Sequence, residues 1–378
     1  MIYFDNAATG GRKPDAVLSA VQSAIKVCAN PGRGGHKLAL ACAKTVEDCR
    51  NELSAFFDGY GFDRVIFTKN CTEGLNIALF GVLQRGDHVV VGCSEHNSVL
   101  RPLEYLKKTG VITYDVCPLH GEGANANIRP EDVRALLKPN TRLVAITTAS
   151  NVNGMLPPLS RIKKVLPPDV LFLCDGAQGG GHLPISMRKI GIDMLTLAGH
   201  KGLYGIQGSG ALLFSERVQP RPILYGGTGS MSISLDMPDF YPDALEAGTA
   251  AFPSIVSLLE GVRFLQLHRT EIAYTLTDFS RKLIDGLRNL SEYKIYSKPN
   301  PCGIVAFAHK RKQSEYIAER LSSTYAVAVR GGLHCAPLMH EGLQTLDDGL
   351  VRVSFSHFNN AWEIDKLLLA LNELSYTD

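Results

Sequence analysis

A lysine and an aspartate carry the strongest chemical signal in this 378-residue sequence. Lys201 follows the apolar run Met194-Leu195-Thr196-Leu197-Ala198, inside Gly199-His200-Lys201-Gly202. Asp175 ends the run Val170-Leu171-Phe172-Leu173-Cys174 and opens Asp175-Gly176-Ala177-Gln178. A lysine released from a buried strand among glycines is poorly explained as a solvated surface charge. Desolvation and neighbouring cations lower the pKa of such an amine, which can then attack an aldehyde and form a Schiff base. A carboxylate at the end of a neighbouring strand can pair with a protonated ring nitrogen, and Gln178 can donate to a phenolate oxygen. An anion at one end and a covalent anchor at the other is what a pyridoxal ring requires. The competing reading of Asp175 is a helix N-cap.

Other strand ends are also chemically loaded, and in open parallel sheets ligands gather at the carboxyl ends of strands. Thr68-Lys69-Asn70-Cys71-Thr72-Glu73-Gly74 follows one strand and opens a helix. The free N–H groups and positive end of that helix suit a phosphate, with Thr72 adding a hydroxyl, and the same residues also read as an ordinary N-cap. His96, in Gly92-Cys93-Ser94-Glu95-His96-Asn97, gains weight only from its company. Cys335 follows His334 in a Gly-rich loop with Arg330 five residues earlier, an electropositive setting that suits a thiolate.

These residues need a scaffold of alternating strands and helices, and the pattern supplies one. Arg64–Thr68, His88–Val91, Arg142–Thr147, Val170–Cys174, Met194–Ala198 and Gly210–Phe214 read as strands, each bounded by turn residues. Helical patterns cover Glu73–Val82, Pro130–Leu137 and Leu159–Leu166. Strands separated by helix-length segments imply right-handed crossovers and a mostly parallel, doubly covered sheet. After about Thr249 a long helical stretch, Pro253–Leu290, leads to short β segments near Gly303–Ala308 and Val351–Phe355 and a closing helix at Ala361–Leu374. The expected organisation is α/β: a large domain over residues 1–250 and a smaller α+β domain over 251–378, with about the first 15 residues packing on the small one.

Bulk composition narrows the partners. With 45% apolar residues and a net charge of +2 from 39 basic and 37 acidic side chains, the chain has no charge surplus that would recruit nucleic acid or an anionic membrane. There is no apolar run of membrane-spanning length and no leader-like N-terminus, so a cytoplasmic enzyme acting on a small molecule is expected. Nine scattered cysteines without a C-x-x-C pair argue against a disulfide framework and a zinc site.

Seven segments in order resemble one family: Asn6-Ala7-Ala8, Thr72-Glu73-Gly74, Ser150-Asn151-Val152-Asn153-Gly154, Asp175-Gly176-Ala177-Gln178, Gly199-His200-Lys201, Glu246-Ala247-Gly248-Thr249 and Arg330-Gly331-Gly332-Leu333-His334-Cys335-Ala336. The chain resembles the cysteine desulfurase and selenocysteine lyase branch of class V, fold-type I enzymes dependent on pyridoxal 5′-phosphate (PLP). That resemblance implies the PLP-dependent transferase fold with a mostly parallel seven-stranded sheet, and a homodimer. It makes Lys201 the Schiff-base lysine and general base, His96 the residue stacked on the ring, and Asp175 the partner of the ring nitrogen. Gln178 and Asn151 lie at the phenolate side. Thr72 with neighbouring Cys71, His200, and Thr249 from a second subunit hold the phosphate. Arg352 clamps the substrate carboxylate, with Asn6, Ala8, His36 and Arg330 on the substrate side.

Cys335 is implied to take sulfur from L-cysteine as a persulfide, releasing L-alanine, with a sulfur-acceptor protein as a further partner. Alternatives on the same scaffold are a selenocysteine lyase acting on L-selenocysteine, another C–S lyase or a class V aminotransferase, or a non-catalytic sulfur-transfer scaffold. The sequence departs from the family's pattern at Ala198, where many relatives have serine, at Asn97, where some have a second histidine, and at Gly202, which is inserted after the lysine.

Overall fold

A computed structural model describes residues 1–27, 29–32 and 34–376. In chain order the first elements are β1 (Ile2–Tyr3), α1 (Asp15–Val27), α2 (Lys37–Phe56), β2 (Val65–Thr68), α3 (Cys71–Val82), β3 (Asp87–Gly92), α4 (Asn97–Lys108), β4 (Ile112–Cys117), α5 (Pro130–Ala135), β5 (Thr141–Thr147) and α6 (Leu159–Val165). They are followed by β6 (Leu171–Asp175), α7 (Met187–Ile190), β7 (Met194–Ala198) and β8 (Gly210–Phe214). The remainder comprises α8 (Phe252–Arg288), β9 (Tyr293–Ile295), β10 (Ile304–His309), α9 (Ser314–Tyr325), β11 (Val327–Ala328), α10 (Pro337–Leu343), β12 (Val351–Ser354) and α11 (Ala361–Tyr376).

Seven strands form the central sheet in the order β2-β8-β7-β6-β5-β3-β4. β8 runs against both neighbours, and the other six share one direction. Their carboxyl ends therefore open on one edge. The interior strands are apolar along their whole length because both faces are covered: every residue of β6, β7 and β8 is buried. A separate antiparallel sheet, β12-β10-β9, lies later in the chain. The chain start is tied to this later part, since Ile2 and Tyr3 pair with Val327 and Ala328, and Asn6 N–H donates to Ser354 O at 3.3 Å.

α8 fixes the loop that carries Lys201. Ile255, Leu258, Leu259, Val262 and Leu265 bury one face of the helix. Tyr204, three residues past the lysine, packs edge-on against Phe264, with ring centroids 5.4 Å apart. Gly261 makes this approach possible, because a Cβ there would lie 2.0 Å from Leu203 O. Alanine at 261 has to push the loop away. Gly261→Ala is expected to cost about 1–3 kcal/mol, the range for overpacking a close contact, read as a lowered urea midpoint. Among the described residues, no helix is long and apolar enough to cross a membrane.

Candidate active site

The ends of five strands converge on one place. β6 delivers Asp175, which is 4% exposed and lies in register with Thr147 of β5 and Thr196 of β7. One carboxylate oxygen, Oδ1, accepts from Ala177 N–H at 2.8 Å and lies 3.3 Å from Cys71 Sγ, whose second contact is Thr196 Oγ1 at 3.2 Å. Asp175 makes an aspartate turn onto Ala177, so the capping geometry that competed with a functional reading uses only Oδ1.

Lys201 sits in a tight loop after β7, closed by Gly205 N–H donating to Gly199 O at 2.8 Å and Tyr204 N–H to Lys201 O at 3.1 Å. Its amine has no hydrogen-bond partner among the described residues. Burial lowers its pKa from the ordinary lysine value, with Asp175 and Cys71 working in the opposite direction and Arg352 and Arg330 adding to the effect of burial. The neutral amine, the form that attacks a carbonyl, is thereby favoured.

His96 caps α4. Its Nδ1 accepts from Ser98 N–H at 3.0 Å and lies 2.8 Å from Ser98 Oγ, which is 2.9 Å from Thr72 Oγ1. Burial pushes the imidazole pKa down, partly offset by Asp175, so the ring is held towards neutrality. At α3 the cap is Asn70, whose Oδ1 accepts from Glu73 N–H at 3.0 Å, while Glu73 Oε2 accepts from Lys69 N–H at 2.5 Å. Asn70 thus satisfies one free N–H of the helix start, Glu73 ties down the residue before the cap, and Thr72 is left beside Ser98. His200 is packed under the N-terminal segment: its carbonyl accepts from Gly10 N–H and Lys13 Nζ, both at 2.9 Å, and its Nδ1 is 3.1 Å from Thr9 Oγ1. Burial first, then Lys201 and Lys13, pushes its pKa down to about 4.

A second set of contacts ties the Cys335 loop to this edge. His334 and Cys335 adopt left-handed backbone at φ 52° and 56°, which costs free energy for residues with a side chain. Their carbonyls are held from the large sheet: Asn151 Nδ2 donates to His334 O at 2.7 Å, and Asn97 N–H donates to Cys335 O at 2.8 Å. Cys335 is the exposed cysteine of the described set, and the others are buried. Arg352, 2% exposed, donates Nη1 to Asn151 O at 3.0 Å and Nη2 to Asp5 Oδ1 at 2.8 Å. Asp5 also pairs with Arg330, Oδ2 to Nη2 at 3.0 Å. The Nε of Arg352 is buried without an acceptor.

The remaining candidates separate into two groups. Gln178 Nε2 donates to Ala7 O at 3.0 Å, and the Asn6 side chain bonds Ser354 O and Gly11 N–H at 2.9 and 3.0 Å, so both stitch the N-terminal motif to the site. Ala8 N–H closes a turn onto Asp5 O at 3.1 Å. His36 is exposed and caps α2, accepting from Ala39 N–H at 3.3 Å. Thr249 is exposed and lines a different cavity of about 330 Å³ with Arg50, Phe67 and Glu246.

Two acids at this edge escaped the sequence reading. Asp5, half-buried, pairs with both arginines and lies two residues past β1, with nothing in the sequence around it to mark it. Glu95 is fully buried beside His96, accepts from Thr147 N–H at 2.7 Å and is held well above the usual carboxylate range, chiefly by burial and then by Asp175. No feature of the sequence around Glu95 separates it from a surface glutamate.

Asn151 joins Arg352 to the cysteine loop. Asn151→Ala leaves His334 O without its donor, and a loss of about 1–2 kcal/mol is expected for an unsatisfied buried group. The measurable consequence is faster iodoacetamide alkylation of Cys335 with an unaltered cofactor absorption band. A shifted band would instead put Asn151 on the cofactor.

The chain matches the family described as Aminotransferase class-V over residues 2–367. It is 32% identical to the "Probable cysteine desulfurase" of Aeropyrum pernix, with 100% of this chain and 95% of that protein covered. It is 31% identical to the protein of the same description from Methanothermobacter thermautotrophicus, covering 99% and 94%. The apo structure of cysteine desulfurase from Thermococcus onnurineus superposes with a TM-score of 0.89 at 28% identity, over 99% of this chain and 94% of that one. A strand-end lysine facing a strand-end aspartate, on a sheet of this order and in a chain matched almost throughout, leaves one assignment: the chain belongs to the class V aminotransferase family.

Proposed function

We propose that this protein is a PLP-dependent cysteine desulfurase that converts L-cysteine to L-alanine and receives the sulfur on Cys335. The observation that carries the reading is the exposed Cys335, held by Asn97 and Asn151 on the same sheet edge that bears Lys201 and Asp175. The residues present fit the cofactor. A lysine amine with no hydrogen-bond partner among the described residues suits its aldehyde, and a buried carboxylate engaged through Oδ1 suits its ring nitrogen. The hydroxyl of Thr72 at the start of α3 suits its phosphate.

Pyridoxal phosphate, when bound, supplies an aldehyde for the amino group and a cationic ring that draws electron density from the substrate's α-carbon. The protein supplies the rest. Asp175 would hold a proton on the ring nitrogen. His96, which burial holds towards neutrality, would bring no competing charge to the ring. Gln178 would act at the phenolate oxygen, and Thr72, Cys71 and His200 would hold the phosphate. Arg352, fixed by Asp5 and Asn151, offers its free Nε–H to the substrate carboxylate, with Asn6, Ala8 and Arg330 shaping that side. Lys201, as the neutral amine, takes the α-proton. The Cys335 thiolate then attacks the substrate sulfur, so a sulfur–sulfur bond forms as the carbon–sulfur bond breaks and its electron pair stays with the β-carbon; that carbon takes a proton, and Lys201 returns one to the α-carbon, which completes alanine.

A homodimer follows from the same reading. Ile233 and Leu235 are fully exposed, and Tyr225, Met231 and Phe240 add apolar surface within the same segment. A monomer rarely leaves so much apolar surface in water. Covering it with a second copy would bring Thr249 to the phosphate of the neighbouring site. A sulfur-acceptor protein and a cytoplasmic setting complete the proposal.

The test is direct. PLP-loaded protein given L-cysteine should yield L-alanine and, with a thiol reductant, equimolar sulfide. Transamination products in place of alanine and sulfide would refute the reading.

A further inference from the structure

The inserted Gly202 and a small cavity beside Lys201 meet at one side chain, His182. A Cβ on Gly181 would lie 1.9 Å from Gly202 O, and a Cβ on Gly202 would lie 3.0 Å from both Cε1 and Nε2 of His182. Glycine at both positions lets the segment after Asp175 and the segment carrying Lys201 touch backbone to backbone. The contact sets the imidazole against the peptide that follows Lys201. Next to it lies a cavity of about 20 Å³ lined by Lys201, His182, Gln178, Cys302 and Ser356, room for about one water molecule. His182 Nδ1 is buried with no hydrogen-bond partner, and among the described residues the amine of Lys201 has none either. A buried nitrogen without a partner is costly unless something in the chamber satisfies it.

We propose that His182 is a positioning residue for Lys201: its Nδ1 accepts a hydrogen bond from a single water in this cavity, and that water accepts one from the Lys201 amine whenever the amine is free. The inference rests on Lys201 being the reactive amine and goes beyond the roles given to the residues above. Burial pushes the His182 pKa down to about 4, so the ring is neutral near neutral pH and its unpartnered Nδ1 is open to a donor. One N–H of Lys201 directed into the chamber leaves the amine's lone pair for the reacting side.

The test needs no turnover. A hydrogen-bond acceptor favours the charged amine, so removing it lowers the pH at which Lys201 becomes reactive. Asp175 and Cys71 favour the charged form and Arg352 and Arg330 oppose it, and all four stay in place. In the full-length chain freed of cofactor, the pH profile of Lys201 acylation by limiting acetic anhydride is read by peptide mass spectrometry. His182→Phe keeps a ring against Gly202 without Nδ1, and should lower the midpoint by about half a unit or more. His182→Asn, which restores an acceptor near the Nδ1 position, should return it to the parent value. Cys302→Leu fills the chamber from its other side and should reproduce the fall, deciding the matter even where His182→Phe does not fold. An unchanged midpoint in His182→Phe and Cys302→Leu, or an equal shift in His182→Asn and His182→Phe, overturns the proposal. Absence of alanine formation by the loaded parent would count against the proposed function and leave this measurement standing.

Discussion

Lys201→Ala is expected to stop alanine formation from L-cysteine, with a fall of at least about 10³-fold even under saturating PLP. The loss combines a nucleophile with a general base, and a positioned base alone is worth about 10²–10⁴-fold. Stability should barely change, because the amine makes no hydrogen bond among the described residues and the loop around it is closed by backbone bonds from Gly205 to Gly199 and from Tyr204 to Lys201. Lys201→Arg separates charge from chemistry. It keeps a cation near Asp175 but cannot act as a neutral amine at any usable pH, and should be as inactive as alanine. Alanine yield by amino-acid analysis, set beside the thermal midpoint of each variant, checks both halves of the expectation.

Cys335→Ser should separate cofactor chemistry from sulfur transfer. The Cys335 carbonyl, held by Asn97 N–H, and the left-handed backbone at φ 56° do not depend on the sulfur, so the loop keeps its place. A hydroxyl is a far weaker nucleophile towards sulfur than a thiolate, and sulfide release should fall by about 10²-fold or more. The absorption spectrum of the loaded protein and its change on adding L-cysteine should persist. Full sulfide release by Cys335→Ser would remove Cys335 from the reaction.

Much of this arrangement is legible in the sequence because the strands that carry it are buried on both faces. β6, β7 and β8 read as continuous apolar runs, and two of the three observed spans, Met194–Ala198 and Gly210–Phe214, coincide with the sequence reading. β4, Ile112–Cys117, escaped that reading: it is an edge strand with burial only at its two ends, and Thr113, Tyr114 and Asp115 break the apolar signal. α2 was equally hidden, since its mixed polar sequence derives its position from packing along α8. Contacts between distant segments were the least visible. The Asp5 clamp on Arg330 and Arg352 joins residues more than 320 positions apart, and Asn151 reaches the His334 carbonyl across 183. The resemblance puts Asn151 at the phenolate side of the cofactor, and no motif signals that its Nδ2 also reaches the His334 carbonyl beside Cys335.

The reading comes down to where the substrate's sulfur goes. PLP-loaded protein is mixed with one equivalent of L-cysteine without reductant, quenched in acid, digested and mapped by mass spectrometry. A gain of one sulfur atom on the Cys335 peptide, with matching L-alanine and no gain on the buried cysteines, is the expected result. Alanine without sulfur on Cys335, or sulfur on another cysteine in its place, contradicts it.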